Sequence, residues 1–276
     1  MARRFILGFA LAGLTLGASM ASAQAPATGY RLAAADVTRI EAELRAKAKA
    51  ENAPAGLAYV MNQGPFALRM DVRNGPATDV HTYPTQGELF MILEGTGAVT
   101  LGGRLVDPHP RGEELRAATS TGGRAYAVGP GDVLLIAENT PFGITKVNGE
   151  LILATVHLPH PAARAPAAKR QRAYISGKEI AAIAAGSPRA APLVSAGPFA
   201  SRLEVISGRS PAGWSGPLDA QLFLCLSGSG TMTLGGQTYP VAKGDFMLLP
   251  QRVPRSVQKT DGKLVLLSMP LPRPAE

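Results

Sequence analysis

Residues 75–97 read GPATDVHTYPTQGELFMILEGTG. This stretch predicts a small β-barrel. It contains the apolar run Leu89–Leu93, which is too short for a helix and is followed by Gly95 and Gly97. A short apolar run bounded by turn residues is typical of a buried strand. With 31 glycines and 23 prolines among 276 residues, the whole chain favours many short strands and turns over long helices.

The polar residues of the same stretch predict a site on the inner wall of that barrel. His81 and Tyr83 are two residues apart, so on a strand their side chains point to the same face. Glu88 follows the turn-like residues 84–87 and can approach both of them from the next strand. The spacing therefore predicts that an imidazole, a phenol and a carboxyl group converge.

One segment of the chain recurs, and this repeat predicts the domain organisation. Residues 64–72, GPFALRMDV, return as residues 197–205, GPFASRLEV, at an offset of 133 (197 − 64). The correspondence continues without a gap to residues 101–103, LGG, which return as 234–236. A period this long indicates two copies of a whole domain, because solenoid repeats are much shorter. The prediction is an all-β protein of two barrels with short N-terminal helices.

Each copy is preceded by a helical pattern. Asp36–Ala50 has apolar residues on one face, and Asp36 is the predicted N-cap. In the second copy, Ser176 and Glu179 form a capping box before the next apolar residues.

The first copy also contains an insertion. Gly131 aligns with Gly244 at an offset of 113 (244 − 131), so about 20 residues (133 − 113) are added within 104–128. This segment is polar and contains glycine and proline, so we expect a long loop near the barrel mouth. Such loops are usually lids, binding loops or merely mobile segments.

The stretch 75–97 resembles the first motif of the cupin family, and residues 131–142 resemble the second motif. The matching residues of the first motif are Gly75, His81, Glu88 and Gly95. Cupins are double-stranded β-helix barrels, also called jelly rolls. The resemblance therefore implies that the chain is a bicupin with one such barrel in each half.

Metal-binding cupins use two histidines and the glutamate of the first motif and a histidine of the second. In this chain Tyr83 and Phe142 stand at the second and third histidine positions, so the resemblance implies only His81 and Glu88 as metal ligands. Two protein ligands hold a divalent ion poorly. Tyr83, or His157 at the end of the apolar run before the linker, could supply a third. The cofactor is therefore none or one divalent transition metal.

The second copy lacks these ligands. At the same offsets His81, Glu88 and Phe142 correspond to Trp214, Gln221 and Arg255. None of the three is an ordinary metal ligand, so the C-terminal barrel is predicted to hold no metal. Lining a pocket, they would suit a carboxylate or a sugar. The favoured alternative is a degenerate barrel with a structural role.

The ends of these segments give domain boundaries. Residues 1–23 carry paired arginines, an apolar run and an A-x-A site, which predicts a signal peptide and export, most simply to the periplasm. No transmembrane segment is predicted after its removal. The predicted segments are a signal peptide (1–23), an N-terminal cupin domain (24–158), a linker (159–173) and a C-terminal cupin domain (174–276).

Charge and cysteine usage exclude several function classes. The formal charge is +8, but much of the surplus lies in the Ala/Pro-rich linker without aromatic residues, so nucleic acid is not a predicted partner. Cys225 is the single cysteine, which excludes an intrachain disulfide, and its apolar neighbours indicate an inert packed thiol.

Three hypotheses of function follow. The first is an exported bicupin that binds a small polar or aromatic organic molecule in the N-terminal barrel. The second is a metal-dependent dioxygenase, isomerase or lyase, and the third is a structural barrel dimer without a ligand site, so a homodimer is also considered. The candidate pocket residues are His81, Tyr83, Glu88, Phe142, His157, Trp214, Gln221 and Arg255.

Overall fold

A computed structural model describes residues 30–63, 66–161, 171–186, 189–209, 220–250 and 253–271. The predicted signal peptide, most of the predicted linker, and Trp214 lie outside these residues. Within them the protein is all-β, as predicted, apart from two short helices. Neither helix is long and apolar enough to cross a membrane.

The first half of the described chain supplies the strands around the candidate site. In order, its elements are β1 (Tyr30–Leu32), α1 (Ala34–Ala50), β2 (Ala55–Gln63), β3 (Phe66–Arg73), β4 (Val80–Thr82), β5 (Gln86–Leu101), β6 (Arg104–Leu105), β7 (His109–Arg111), β8 (Glu114–Ala117), β9 (Ser120–Thr121), β10 (Arg124–Val128), β11 (Val133–Ile136) and β12 (Phe142–Pro159). The long strands β5 and β12 pair antiparallel along most of their length.

The second half repeats the core of this arrangement with shorter strands. Its elements are β13 (Tyr174–Ile175), α2 (Gly177–Gly186), β14 (Ala190–Ala196), β15 (Phe199–Ser207), β16 (Ala220–Ser227), β17 (Ser229–Leu234), β18 (Gln237–Ala242), β19 (Phe246–Leu249), β20 (Arg255–Thr260) and β21 (Lys263–Leu271). Strand β21 pairs with β15 and β16 as β12 pairs with β3 and β5. The pairing thus follows the sequence repeat.

The repeat also explains two glycines at equivalent places. Gly95 and Gly228, 133 residues apart, have φ angles of 78° and 84°. A Cβ atom at these positions would lie 1.9 Å from the Glu150 carbonyl oxygen and 2.0 Å from that of Lys263. Because only glycine tolerates this φ and this approach, both copies keep glycine where the two long strands bend past each other.

The two halves exchange their first strands. β1, which begins the described N-terminal half, pairs antiparallel with β19 of the second half. Conversely, β13 of the second half pairs with β11 of the first. Each barrel is therefore completed by a strand that belongs, in sequence, to the other half.

The same exchange determines how the helices begin. The first backbone N–H of α1, at Ala34, donates to Asp245 Oδ1 at 2.7 Å, and that of α2, at Gly177, donates to Asp132 Oδ1 at 2.7 Å. The prediction that Asp36 caps α1 is wrong, because the helix starts at Ala34 and the carboxylate comes from the opposite half. The predicted capping box of α2 is confirmed: Glu179 N donates to Ser176 Oγ at 3.2 Å.

The insertion within 104–128 is not the expected loop. Its residues form β6 to β9, since β10 corresponds to β18 of the second half, and β8 pairs with β4 so that Arg116 lies opposite His81. The alternation Glu114-Leu115-Arg116-Ala117 is a strand signal that the polar composition of the segment obscured. The insertion thereby extends the sheet beside the candidate site.

Three clusters of buried apolar side chains hold these sheets together. One lies within the strands of the first half and includes Phe90, Leu134 and Phe142. A second lies within the strands of the second half and includes Phe223 and Met247. The largest joins side chains of both halves and both helices, so the halves share one core.

Candidate ligand site in the N-terminal barrel

Two of the predicted site residues are cross-strand neighbours. His157 on β12 lies directly opposite Glu88 on β5. Their side chains approach to 3.6 Å between His157 Nδ1 and Glu88 Oε1, and Glu88 is only 1% exposed. His157, which is 8% exposed, thus points inward from near the end of its strand.

Three further rings lie on the same side as His157, and we call the four together the aromatic wall: His81, Tyr83, Phe142 and His157. Phe142 is paired with His81, and their ring centroids are 4.2 Å apart. Tyr83 lies 5.7 Å from His81 and 5.8 Å from His157 between ring centroids, both in edge-on orientation. Tyr83 and Phe142 occupy the two motif positions at which metal-binding cupins have histidines that this chain lacks. Both are therefore part of the aromatic wall.

Beneath the wall lies a buried ionic group that the sequence analysis missed. Arg69 Nε donates to Asp71 Oδ2 at 2.9 Å, and Thr155 Oγ1 donates to the same oxygen at 3.2 Å. Arg69 Nη1 is 3.4 Å from His157 Nε2. The repeat carried a signal for this group, because the second copy has Arg202, Glu204 and Ser268 at the equivalent positions.

The insertion adds a second ionic group, also missed. The Tyr83 hydroxyl donates to Glu114 Oε1 at 2.7 Å. Arg116 Nε donates to the other oxygen of Glu114, and the Arg116 guanidinium also pairs with Asp79. Hydrogen bonding to Glu114 thus fixes the orientation of the Tyr83 ring.

Burial determines the charge of the inner groups. It raises the pKa of Glu88 to about 8, against the opposing charge of Arg69. It lowers the pKa of His157 to about 4, with a further contribution from Arg69, and that of His81 to about 4. At neutral pH the centre of the site therefore holds an uncharged carboxylic acid and two uncharged imidazoles.

Glu88 stands out because its hydrogen-bonding capacity is unused. Neither of its carboxyl oxygens has a hydrogen-bond partner in the structure, and the same is true of His81 Nδ1. Buried polar atoms nearly always have partners, so an unpartnered carboxyl group in an aromatic surround indicates a place for a polar group from outside the chain.

The residues present do not fit the metal centre that the cupin resemblance implies. Among the described residues, no group of three or more His, Cys, Asp and Glu side chains is arranged to hold an ion. Glu88 and His157 lie together, but the His81 ring packs on Phe142, and the Arg69 guanidinium lies against His157. A fixed cation at this distance opposes a second cation.

The equivalent place in the second half has a different character. Gln221 is 2% exposed and Arg255 is 5% exposed. The Arg255 guanidinium carbon lies 5.1 Å from the centre of the Phe223 ring, and burial lowers its pKa to about 10. Cys225 is buried, and burial raises its pKa to about 12, as expected for a packed thiol.

Comparison with known proteins agrees with this architecture. Residues 211–270 match the family model described as Cupin domain. No curated protein matches the sequence. The structure therefore has a cupin-type β-barrel fold, and the family match supports the cupin superfamily as the class.

Several solved structures share this fold at low sequence identity. A cupin 2 conserved barrel domain protein from Leptotrichia buccalis is 15% identical with a TM-score of 0.54, covering 79% of this chain and 88% of that one. Salicylate 1,2-dioxygenase from Pseudaminobacter salicylatoxidans is 12% identical with a TM-score of 0.60, covering 93% and 88%. A putative glyoxylate-induced protein from Pseudomonas aeruginosa is 13% identical with a TM-score of 0.54, covering 78% and 80%.

Proposed function

We propose that the N-terminal barrel binds a small aromatic acid without a metal ion. The observation that carries this proposal is Glu88, a buried carboxyl group with two unpartnered oxygens that faces the aromatic wall. A hydroxyl or carboxyl group of the ligand would satisfy those oxygens, and the aromatic body would stack against the rings.

The charges around the site favour an acidic ligand. Arg69 and Arg73 both contact Asp71, at 2.9 Å and 3.7 Å, so two guanidinium groups face one carboxylate. Glu88 adds no negative charge at neutral pH because its pKa is about 8. A carboxylate brought in beside Arg69 would balance the positive excess of this inner group, whereas the second ionic group, in which Arg116 pairs with Glu114 and Asp79, has the opposite excess.

The fold neighbours suggest a first probe. One of them acts on salicylate, a benzene ring with adjacent hydroxyl and carboxylate groups, and another structure of that enzyme is described as a complex with gentisate. Identity of 12% transfers no activity to this chain. Salicylate is nevertheless a suitable test molecule because it carries both groups that the site would recognise.

Salicylate is expected to bind the metal-stripped protein. Glu88→Leu is expected to weaken this binding at least tenfold, because leucine removes the polar partner of the ligand while its side chain still fills the space. Glu88→Gln should keep most of the affinity at pH 7, because an amide resembles the uncharged acid. Isothermal titration calorimetry in the presence of EDTA measures both.

The second barrel supplies the matched control. Gln221→Leu makes the same kind of change at the equivalent position and is expected to leave salicylate binding unchanged. Equal losses in Glu88→Leu and Gln221→Leu would contradict a site in the N-terminal barrel. Binding that appears only after a divalent metal is added would favour the metal-dependent alternative instead.

We also propose that the chain is an exported bicupin whose second barrel is structural. The internal repeat supports two barrels, and the N-terminal residues 1–23 support export to the periplasm. The completed sheets of each half support a structural role, since each half supplies a strand that the other needs.

A further inference from the structure

A cavity lies between the two halves, away from the aromatic wall. It has a volume of about 530 Å³ and is lined by residues of α1, α2, β5 and β16 and by the glycine turns before β11 and β19. Volumes of this order are typical of small-molecule sites. Few charged residues line it, because most of its lining side chains are apolar.

Both helices contribute to the lining of this cavity. α1 provides Val37, Thr38 and Glu41, and α2 provides Ile180, Ala181 and Ala184. Glu41 has no acidic counterpart among the residues that α2 contributes, so the lining is asymmetric although the two halves that form it are repeats.

Glu41 is the unusual residue of this lining. It is 5% exposed, and within the described chain its carboxyl group has no hydrogen-bond partner and no ion-pair partner. Arg45, whose charge opposes the rise in the pKa of Glu41, instead binds Glu94 and Glu150. Burial, and next the charge of Glu94, raise the pKa of Glu41.

The surroundings of Glu41 favour a cationic guest. Glu94 also lines the cavity, and Glu150 acts on Glu41 from β12, so the negative groups near Glu41 exceed Arg45 in number. Lys243 lies on the lining as well, but it is exposed, so water solvates its ammonium group. A protonated amine at Glu41 would supply the charge and the hydrogen bonds that the carboxylate lacks.

We propose that this cavity binds a small apolar molecule that carries a primary amino group, with the ammonium on Glu41 and the hydrocarbon body against α2. The site is separate from the aromatic wall and does not depend on the function proposed for the N-terminal barrel. Its occupant is recognised by one charge-assisted contact and by apolar burial.

The test uses n-hexylamine, with n-hexanol and hexanoate as probes of the same length and different charge. Hexylamine is expected to bind the full-length mature protein in calorimetry and to raise its unfolding temperature as its concentration rises. Hexanol should bind at least tenfold more weakly, and hexanoate should show no binding. Glu41→Gln should reduce hexylamine affinity at least tenfold.

Glu43→Gln is the matched control, because Glu43 lies on the same helix with a 63% exposed side chain and pairs with Arg39. It should leave hexylamine binding unchanged. A second variant, Ala184→Leu, should fill the cavity and abolish binding while the protein remains folded. Equal affinity of hexylamine for the parent protein and for Glu41→Gln, or binding of hexanoate as strong as that of hexylamine, would overturn the proposal.

Discussion

Replacing Glu88 with glutamine is expected to stabilise the folded protein by about 3 kcal/mol at pH 7. The free acid has an ordinary pKa of 4.5, and burial raises it to about 8 in the folded protein. Folding at neutral pH therefore requires Glu88 to take up a proton that the unfolded chain has released. Glutamine is uncharged in both states and removes this cost.

The sign of the pH dependence follows from the same shift. Between pH 4.5 and about 8 the folded state holds a proton at Glu88 that the unfolded state does not, so this residue lowers the free energy of unfolding as pH rises. The advantage of Glu88→Gln should thus grow by about 1.4 kcal/mol per pH unit across this window and level off above it. Urea unfolding of both proteins from pH 5 to 8 measures the difference.

The informative quantity is the difference in the free energy of unfolding between the parent protein and Glu88→Gln. The histidines make this free energy change with pH in the opposite direction, and the difference removes their contribution. His81 and His157 have pKa values lowered to about 4, so below their ordinary value of 6.5 they reduce stability as pH falls. Both contributions are present in the parent and in the variant. A difference that stays constant from pH 5 to 8 would show that Glu88 is not buried as an uncharged acid.

Glu114→Gln is a control for which the opposite change in the free energy of unfolding is expected. Burial alone would raise the pKa of Glu114, but hydrogen bonds from Arg116 and Tyr83 outweigh burial and lower it. Glu114 therefore stabilises the protein above the unfolded pKa, and this contribution is lost as pH falls through the folded value. Glu114→Gln should destabilise the protein at pH 7, and the loss should shrink in acid.

The second large effect is expected at Asp245. Asp245→Ala should lower the free energy of unfolding by about 3 kcal/mol, because it breaks a buried ion pair and removes a helix cap together. The carboxylate is 1% exposed and accepts from Arg31 Nε at 2.9 Å, Ala34 N at 2.7 Å and Ala242 N at 3.0 Å. It thus ties β1 and α1 to the second half.

Asp132 performs the same task for the opposite strand and serves as the comparison. It accepts from Gly177 N at 2.7 Å, Tyr174 Oη at 2.8 Å and Gly129 N at 2.9 Å, and no arginine of the described segments pairs with it. Asp132→Ala should therefore lower the free energy of unfolding by less than Asp245→Ala does, by about 2 kcal/mol. Urea unfolding at pH 7 gives both values.

Amide hydrogen exchange shows which segment each of the two aspartate substitutions destabilises. Asp245→Ala should speed amide exchange in Tyr30–Leu32 and the first turn of α1, whereas Asp132→Ala should do so in Tyr174–Ile175 and the first turn of α2. Faster exchange in the same segment for both variants would contradict the reciprocal arrangement.

Local patterns in the sequence were sufficient to predict the barrel and half of the site. The apolar run Leu89–Leu93, the two-residue spacing of His81 and Tyr83 and the offset of 133 are all short-range signals, and the structure agrees with each. His157 was among the predicted pocket residues because the apolar run before it predicted its strand.

Other features depend on contacts between distant segments. Asp132 and Asp245 follow glycines in turns, and nothing nearby shows that they bind helices more than 40 residues away along the chain. Glu114 lies in a segment whose polar composition suggested a loop, so its bond to Tyr83 could not be foreseen. The strand exchange itself leaves no periodicity, because it depends on where a short segment docks.

The exchanged strands have a consequence for proteolysis. A cut between residues 161 and 171 would not release two independent barrels, because the N-terminal piece would still have β1 hydrogen-bonded to β19 and the C-terminal piece would have β13 hydrogen-bonded to β11. In size-exclusion chromatography the nicked protein should therefore elute as a single species. Its two fragments should separate only when the protein unfolds.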